Sequence, residues 1–279
     1  MTLTWPFDPT VYAGLVGLLL GYAWLARERL DSDGRPLFFL AGIGALWVAL
    51  ESPIDTIAEQ YLGSVHMLQH VVLGLVAPPL LLLGLSPRMA EILARSVPGL
   101  RQLGRPVPAQ VIAAAAWIGW HLPPLYDLTT ANLQVHILEH LVFIAAGVLL
   151  FWPVLESTAS TLPGGQMAEG WKMVYLGIAT IPQDAVAIVL QFSGTVFYSQ
   201  YRTIPIMAPG YSPVVDQTVA GAIMMIGTNI VMGAVLLTVF FRWLRRDELR
   251  QQREDAEGED ENWEYWTARG GGRHWVGRG

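Results

Sequence analysis

The octapeptide VHMLQHVV at Val65–Val72 returns seventy residues later as VHILEHLV at Val135–Val142, and each copy opens a long apolar segment. Residues four apart share one face of a helix, about 6 Å apart along its axis. His66 and His70 therefore form one stacked pair and His136 and His140 a second, together four of the six histidines. Ionisable groups are costly to bury in apolar helices, and where they occur they mark functional sites. Neutral imidazole is the commonest side-chain metal ligand, so the paired histidines point to metal binding. The plainer reading, histidines that only hydrogen-bond between helices, suits a lone residue better than two spaced pairs.

Hydrophobic residues make up 53% of the 279-residue chain and charged residues 14%, against about 25% charged in ordinary soluble domains. That balance predicts an all-α, polytopic membrane helix bundle. Apolar segments at about 10–26, 37–51, 64–85, 107–121, 132–153, 170–193 and 216–242 give seven predicted transmembrane helices in a membrane domain over 1–244. The second and fourth are short and need tilt or extension. From Arg245 the chain is charged, glycine-rich and low in aliphatics, which predicts a polar, partly disordered cytoplasmic tail over 245–279. Cysteine is absent, which excludes disulfides, thiolate metal sites and cysteine nucleophiles. The first apolar stretch lacks the basic flank and cleavage site of a signal peptide. The acidic excess lies in loops and tail, and no nucleic-acid partner is expected.

Loop charges predict orientation. Arg27, Arg29 and Arg35 follow the first helix, Arg88, Arg95, Arg101 and Arg105 the third, and Arg242, Arg245, Arg246, Arg250 and Arg253 the seventh. The loops after helices two and four carry no Lys or Arg. This bias predicts an outer N-terminus and a cytoplasmic C-terminus. Both histidine helices then run inward, and the fourth helix runs outward to end at His121, so five histidines share one outer layer. Trp5, Trp120 and Trp152 are expected as interface anchors. The repeat extends further: helix two, Ser52-Pro-Ile-Asp55 and a His pair parallel helix four, Pro123-Pro-Leu-Tyr-Asp127 and the second pair.

His66, His70, His121, His136 and His140 are thus the candidate metal ligands. Imidazoles without thiolate, with thioethers at Met67, Met224 and Met225, suit copper best, with zinc second. Asp216 is a candidate ligand or an acceptor for an imidazole N–H. Asp184, beside Pro182 in an apolar helix, is a candidate for proton or cation passage. Asp55, Asp127 and Glu139 are further candidates near the pairs. His136-Ile-Leu-Glu139-His140 also matches the H-x-x-E-H zinc peptidase pattern. The first copy, however, has Gln69 where the second has Glu139, which argues against a repeated catalytic carboxylate. Haem held by two histidines is a further alternative, although pairs four apart leave one ligand of each unused.

Ser52-Pro-Ile-Asp55, His66-Met-Leu-Gln-His70, Ala77-Pro-Pro-Leu-Leu-Leu-Leu-Gly84, His121-Leu-Pro-Pro-Leu-Tyr-Asp127, His136-x-x-Glu139-His140, Phe151-Trp-Pro153, Tyr198-Ser-Gln-Tyr201 and Asp216-Gln-Thr-Val-Ala-Gly221 before Met224 follow in order. This series resembles the CtaG family of cytochrome c oxidase (caa-type) assembly proteins over about residues 50–225. Met225 departs from it, since the family usually has Trp there. The resemblance implies a non-enzymatic protein of the bacterial plasma membrane that supplies copper to the oxidase, with the five histidines as ligands. An oxidase subunit or a copper chaperone is the implied partner. Copper transport is the remaining alternative, but the cytoplasmic halves of helices three, five and seven carry few polar residues for a path.

Overall fold

Proline and short capping side chains set where most helices begin. The structure is a computed structural model that describes residues 5–27, 34–203 and 210–268. Helix α1 (Pro9–Ala26) starts behind Asp8, whose carboxylate accepts from Thr10 N. Helix α2 (Arg35–Glu51) leads through Ser52, whose hydroxyl accepts from Ile54 N, into α3 (Pro53–Gln60). Helix α4 (Gly63–Val71) continues through a π-helical turn, Val72–Val76, into α5 (Ala77–Leu83). Two short helices, α6 (Pro87–Ser96) and α7 (Leu100–Leu103), precede α8 (Pro106–Trp120). Then come α9 (Pro123–Ala131), α10 (Leu133–Phe151) and α11 (Glu156–Ala159). Helix α12 (Glu169–Phe192), a 3-10 turn at Ser199–Thr203 and α13 (Pro213–Ala268) complete the order. Proline fits a first helical turn because the N–H it lacks would have no partner there.

Among the described residues, five helical segments are long and apolar enough to cross a membrane: Pro9–Ala26, Gly63–Leu83, Leu133–Phe151, Glu169–Phe192 and Pro213–Gly258. A sixth arises if α2 and α3, bent by 46° relative to each other, form one span. Helix α8 has 15 residues, fewer than the roughly 20 of a full span. The seven expected segments all fold as helices, and length and composition identify five or six of them as spans.

The last helix runs on where a disordered tail was expected. Residues beyond 245 are rich in Arg, Glu, Gln and Ala and pair opposite charges four apart, as in Arg250 with Glu254 and Arg253 with Glu257. Good helix formers and such pairs favour continuation, and α13 extends to Ala268. The expectations for Arg29, for the polar stretch up to Asp33 and for residues 269–279, including His274, lie outside the described residues.

The duplication suspected from the octapeptides is structural. A helix, a short proline-led helix and a histidine helix occur as α2–α3–α4 and again as α8–α9–α10. The two short helices have 8 and 9 residues. Between the halves, α10 packs on the π-turn and on α5. Pro78 and Pro79 supply no N–H, so the ladder loosens here, and Ala77 N reaches back five residues to Val72 O. Gly147 of α10 sits directly on this turn: a Cβ there would lie 2.1 Å from Gly74 O and 2.6 Å from Pro78 Cγ.

Charged groups gather at the end of the bundle away from the histidines. Glu156 pairs with Arg242 at 2.5 Å and with Arg246, and Glu169 bonds Arg246 at 3.0 Å and the buried Lys172 at 3.2 Å. In the link after α5, the hydrogen bond from Arg95 to Glu91 holds that carboxyl below its ordinary range, with Arg101 adding to it. Trp5 is exposed, whereas Trp120 and Trp152 are buried, and Trp152 donates its indole N–H to Thr161. The two inner tryptophans therefore pack the bundle rather than anchor it at an interface.

Replacing Gly147 with Ala is expected to lower stability by about 1–3 kcal/mol, since backbone rather than a flexible side chain blocks the new methyl group. Gly177 of α12 has open space around it, and Gly177→Ala is expected to be neutral or stabilising by up to about 1 kcal/mol. Thermal unfolding of both variants in detergent checks the contrast; equal shifts would contradict the close approach.

Candidate metal centre

The two histidine helices put their pairs against each other. Ring centroids lie 4.4 Å apart for His66 and His70, 4.2 Å for His136 and His140, and 5.4 Å for His66 and His136 across the helices. His70 also lies 6.2 Å from His140 and 5.5 Å from His121. All five predicted histidines thus form one continuous group. Four side chains within it, His66, His70, Glu139 and His140, each offer a ligand atom within 4.8 Å of all the others. His136 and His121 fall outside this tightest set, and Glu139 stands inside it.

His66 Nε2, His140 Nε2, both nitrogens of His70 and both oxygens of Glu139 are buried without a hydrogen-bond partner. The Thr129 hydroxyl, the polar group beside Glu139, donates to Tyr126 O at 2.8 Å instead. His70 Nε2 lies 3.6 Å from Glu139 Oε1, beyond hydrogen-bond range. A buried unsatisfied group costs about 1–3 kcal/mol, and more if charged. Here several converge in one place, and a cation accepting their lone pairs removes that cost. The set contains imidazoles and a carboxylate but no thiolate or thioether, donors that suit zinc, divalent copper, iron or nickel.

Neighbouring groups fix which nitrogen faces inward. Tyr201 donates its hydroxyl to Ala58 O at 2.9 Å, and Tyr126 donates to Tyr201 at 3.2 Å. With both hydroxyl hydrogens used, His66 Nδ1, 2.9 Å from Tyr126 and 3.0 Å from Tyr201, is the protonated nitrogen. Its Nε2 is then the lone pair in the cluster, the arrangement by which surrounding hydrogen bonds orient a metal-binding histidine. His136 Nδ1 lies 3.1 Å from Glu59 Oε1, and this likewise leaves its buried Nε2 bare. Tyr198 stacks on Tyr126 at 3.7 Å and donates to His121 O, so the turn around Ser199–Thr203 closes the group from one end.

Asp216 touches no imidazole. Its carboxylate accepts from Gly63 N at 2.8 Å, Ser64 Oγ at 2.5 Å and Tyr211 at 2.9 Å. Leu62 provides no side-chain cap for α4, so Asp216 reaches across from α13 to cap the helix that carries His66 and His70. A carboxylate there also meets the positive end of the helix dipole. Gly63 permits the approach: a Cβ would lie 3.2 Å from the Tyr201 ring and 3.3 Å from Asp216 Oδ2.

The other predicted residues have separate partners. Asp55 accepts from Gln69 at 2.8 Å, so the first repeat turns its amide outward where the second turns Glu139 inward. Asp127 accepts from Ser199 N at 2.9 Å. Met67 Sδ faces His121 Nε2, while Met224 is buried among apolar residues and Met225 lies at the edge of that core. Asp184 accepts from Asn229 on α13 at 2.9 Å, on the outward side of the bundle. Tyr126, Tyr201 and Glu59 were not singled out from sequence as supports; their signal is a polar side chain close in sequence to a histidine or within the same short motif.

A polytopic helical membrane protein with a buried, unpartnered His/Glu cluster is the class defined by this fold and site. The model of the cytochrome c oxidase caa3 assembly factor family (Caa3_CtaG) matches residues 17–246, and the chain belongs to that family. Uncharacterised proteins of Mycobacterium bovis and Mycobacterium tuberculosis are each 25% identical over 283 residues, covering 92% of this chain. One from Mycobacterium leprae is 24% identical over 278 residues, covering 90%. The chain spans only 41–42% of the length of these relatives. No solved structure matches.

Replacing Asp216 with Asn is expected to cost about 1–2 kcal/mol through the weakened cap. It is also expected to reduce metal retention, because α4 carries two of the donors. Unfolding midpoint and bound metal, measured on one preparation, check this; unchanged values for both would contradict the capping role.

Proposed function

We propose that this protein is a non-enzymatic copper carrier for assembly of a cytochrome c oxidase, and that His66, His70, Glu139 and His140 hold the ion. The observation that carries the reading is the convergence of these buried donor atoms without partners. The donor chemistry alone admits zinc as well as copper; membership in an oxidase assembly family favours copper, a metal that such oxidases contain. His136, oriented by the partly exposed Glu59, lies on the more accessible side of the set and serves as the approach to it. His121 completes the group from α8.

In this reading the membrane domain has seven crossings, with α8 tilted or extended to count as one. Its N-terminus lies outside and its C-terminus in the cytoplasm of the bacterial plasma membrane. The histidine layer then faces outward, and copper passes to an oxidase subunit or arrives from a copper chaperone on that side. Beyond their histidines, Val71–Leu83 and Leu141–Phe151 carry no polar side chain, which favours delivery over transport. Glu139 offers an oxygen within 4.8 Å of the three histidine donor atoms, which supports a ligand role.

Purified full-length protein is expected to carry copper near one equivalent or more per chain. His70→Ala and His140→Ala are each expected to lose most of it, with parallel loss of oxidase maturation. Elemental analysis by mass spectrometry is the readout. Stoichiometric zinc in place of copper would select the zinc reading, and metal-free protein that still matures the oxidase would sink both.

A further inference from the structure

His121 has surroundings that neither neutral tautomer satisfies. Its Nδ1 lies 2.6 Å from the Trp117 carbonyl oxygen and its Nε2 lies 3.3 Å from Met67 Sδ. A neutral imidazole has one N–H and one lone pair. With the hydrogen on Nδ1, the Trp117 carbonyl is satisfied, and Nε2 turns its lone pair on the thioether sulfur with no hydrogen between them. With the hydrogen on Nε2, lone pairs of nitrogen and carbonyl oxygen face each other at 2.6 Å. An imidazolium would satisfy both contacts, but His121 is 6% exposed and Met67 is fully buried. No carboxylate lies within ion-pair distance of His121 among the described residues. An unpaired buried charge is the costliest of the three alternatives.

A soft cation between the two lone-pair donors resolves the contact. Bonds of about 2.0 Å to nitrogen and about 2.3 Å to sulfur sum to more than 3.3 Å, so both atoms can hold one ion at a bent angle. Thioether with imidazole selects monovalent copper, whereas the neighbouring set of imidazoles and carboxylate suits a divalent ion. We propose that His121 Nε2 and Met67 Sδ form a second metal station, selective for Cu(I), beside the station of His66, His70, Glu139 and His140. His70 lies between them, 5.5 Å from His121 and 4.4 Å from His66 by ring centroid. Both of its nitrogens are bare, so this donor of the first station stands on the border with the second. The walls are dry: Trp117 stacks on His121 at an interplanar angle of 7°, and Phe143 packs against Trp117 and His70. Two adjoining stations of different softness give the chain a place for each oxidation state of its cargo.

The proposal rests on the copper reading above, and its test separates the two. Full-length protein in detergent is first loaded with Zn(II), then titrated anaerobically with Cu(I) against bicinchoninate, and the bound copper is examined by X-ray absorption. One equivalent of Cu(I) is expected to bind without displacing zinc and to show sulfur in its coordination shell. Met67→Leu, a nearly volume-conserving change, is expected to weaken Cu(I) retention at least tenfold with zinc stoichiometry unchanged. Cu(I) that displaces zinc, copper without a sulfur neighbour, or equal Cu(I) retention in the variant would each overturn the second station. The sulfur signal is read on the unmutated protein, so a variant that fails to fold leaves the test intact. Failure to bind either metal contradicts the copper reading itself.

Discussion

Lone pairs buried without hydrogens to meet them are the constraint around which this bundle is arranged. Three imidazoles and a carboxylate turn bare donor atoms toward one point in an apolar interior, at a cost a membrane protein tolerates only where a ligand offsets it. The chain holds them there by spending polar contacts elsewhere. Asp216 caps α4, the Tyr126–Tyr201 pair fixes one ring, and Glu59 fixes another. None of these supports shares its hydrogen bonds with the donor atoms themselves, so the donors remain available.

Duplication explains how such a site is assembled from so little sequence. Each half contributes a helix, a short proline-led helix and a histidine helix, and close glycine packing at Gly147 lets the second histidine helix lie on the π-turn of the first. The halves have diverged where it matters. Gln69 faces out to Asp55 and the Ala49 carbonyl, whereas Glu139 faces in. Only one of two related positions therefore brings a carboxylate to the cluster, enough to offset part of one cation's charge without a second buried anion to repel it.

Much of this was legible in the sequence. Apolar runs located every long helix, because burial in lipid demands continuous hydrophobicity, and i,i+4 spacing put each histidine pair on one face. Four features were less visible, for physical reasons. Helices α3 and α9 read as polar punctuation, since 8 and 9 residues with proline and aspartate carry too little hydrophobic pattern to register. The continuation of α13 depends on helix propensity and charge pairing rather than on hydrophobicity. The place of Glu139 was obscured because symmetry between the repeats suggested that a residue present in only one copy was incidental. Asp216 stood out as a candidate ligand or imidazole acceptor, but its role as a cap for a helix 153 residues away in sequence depends on tertiary contact that no local pattern records.

The most direct test of the central claim is the anomalous difference density at the copper edge in crystals of the copper-loaded protein. The account predicts a peak bounded by His66, His70, Glu139 and His140. A peak absent from that position, or one held by His136 and Glu59 instead, would contradict it.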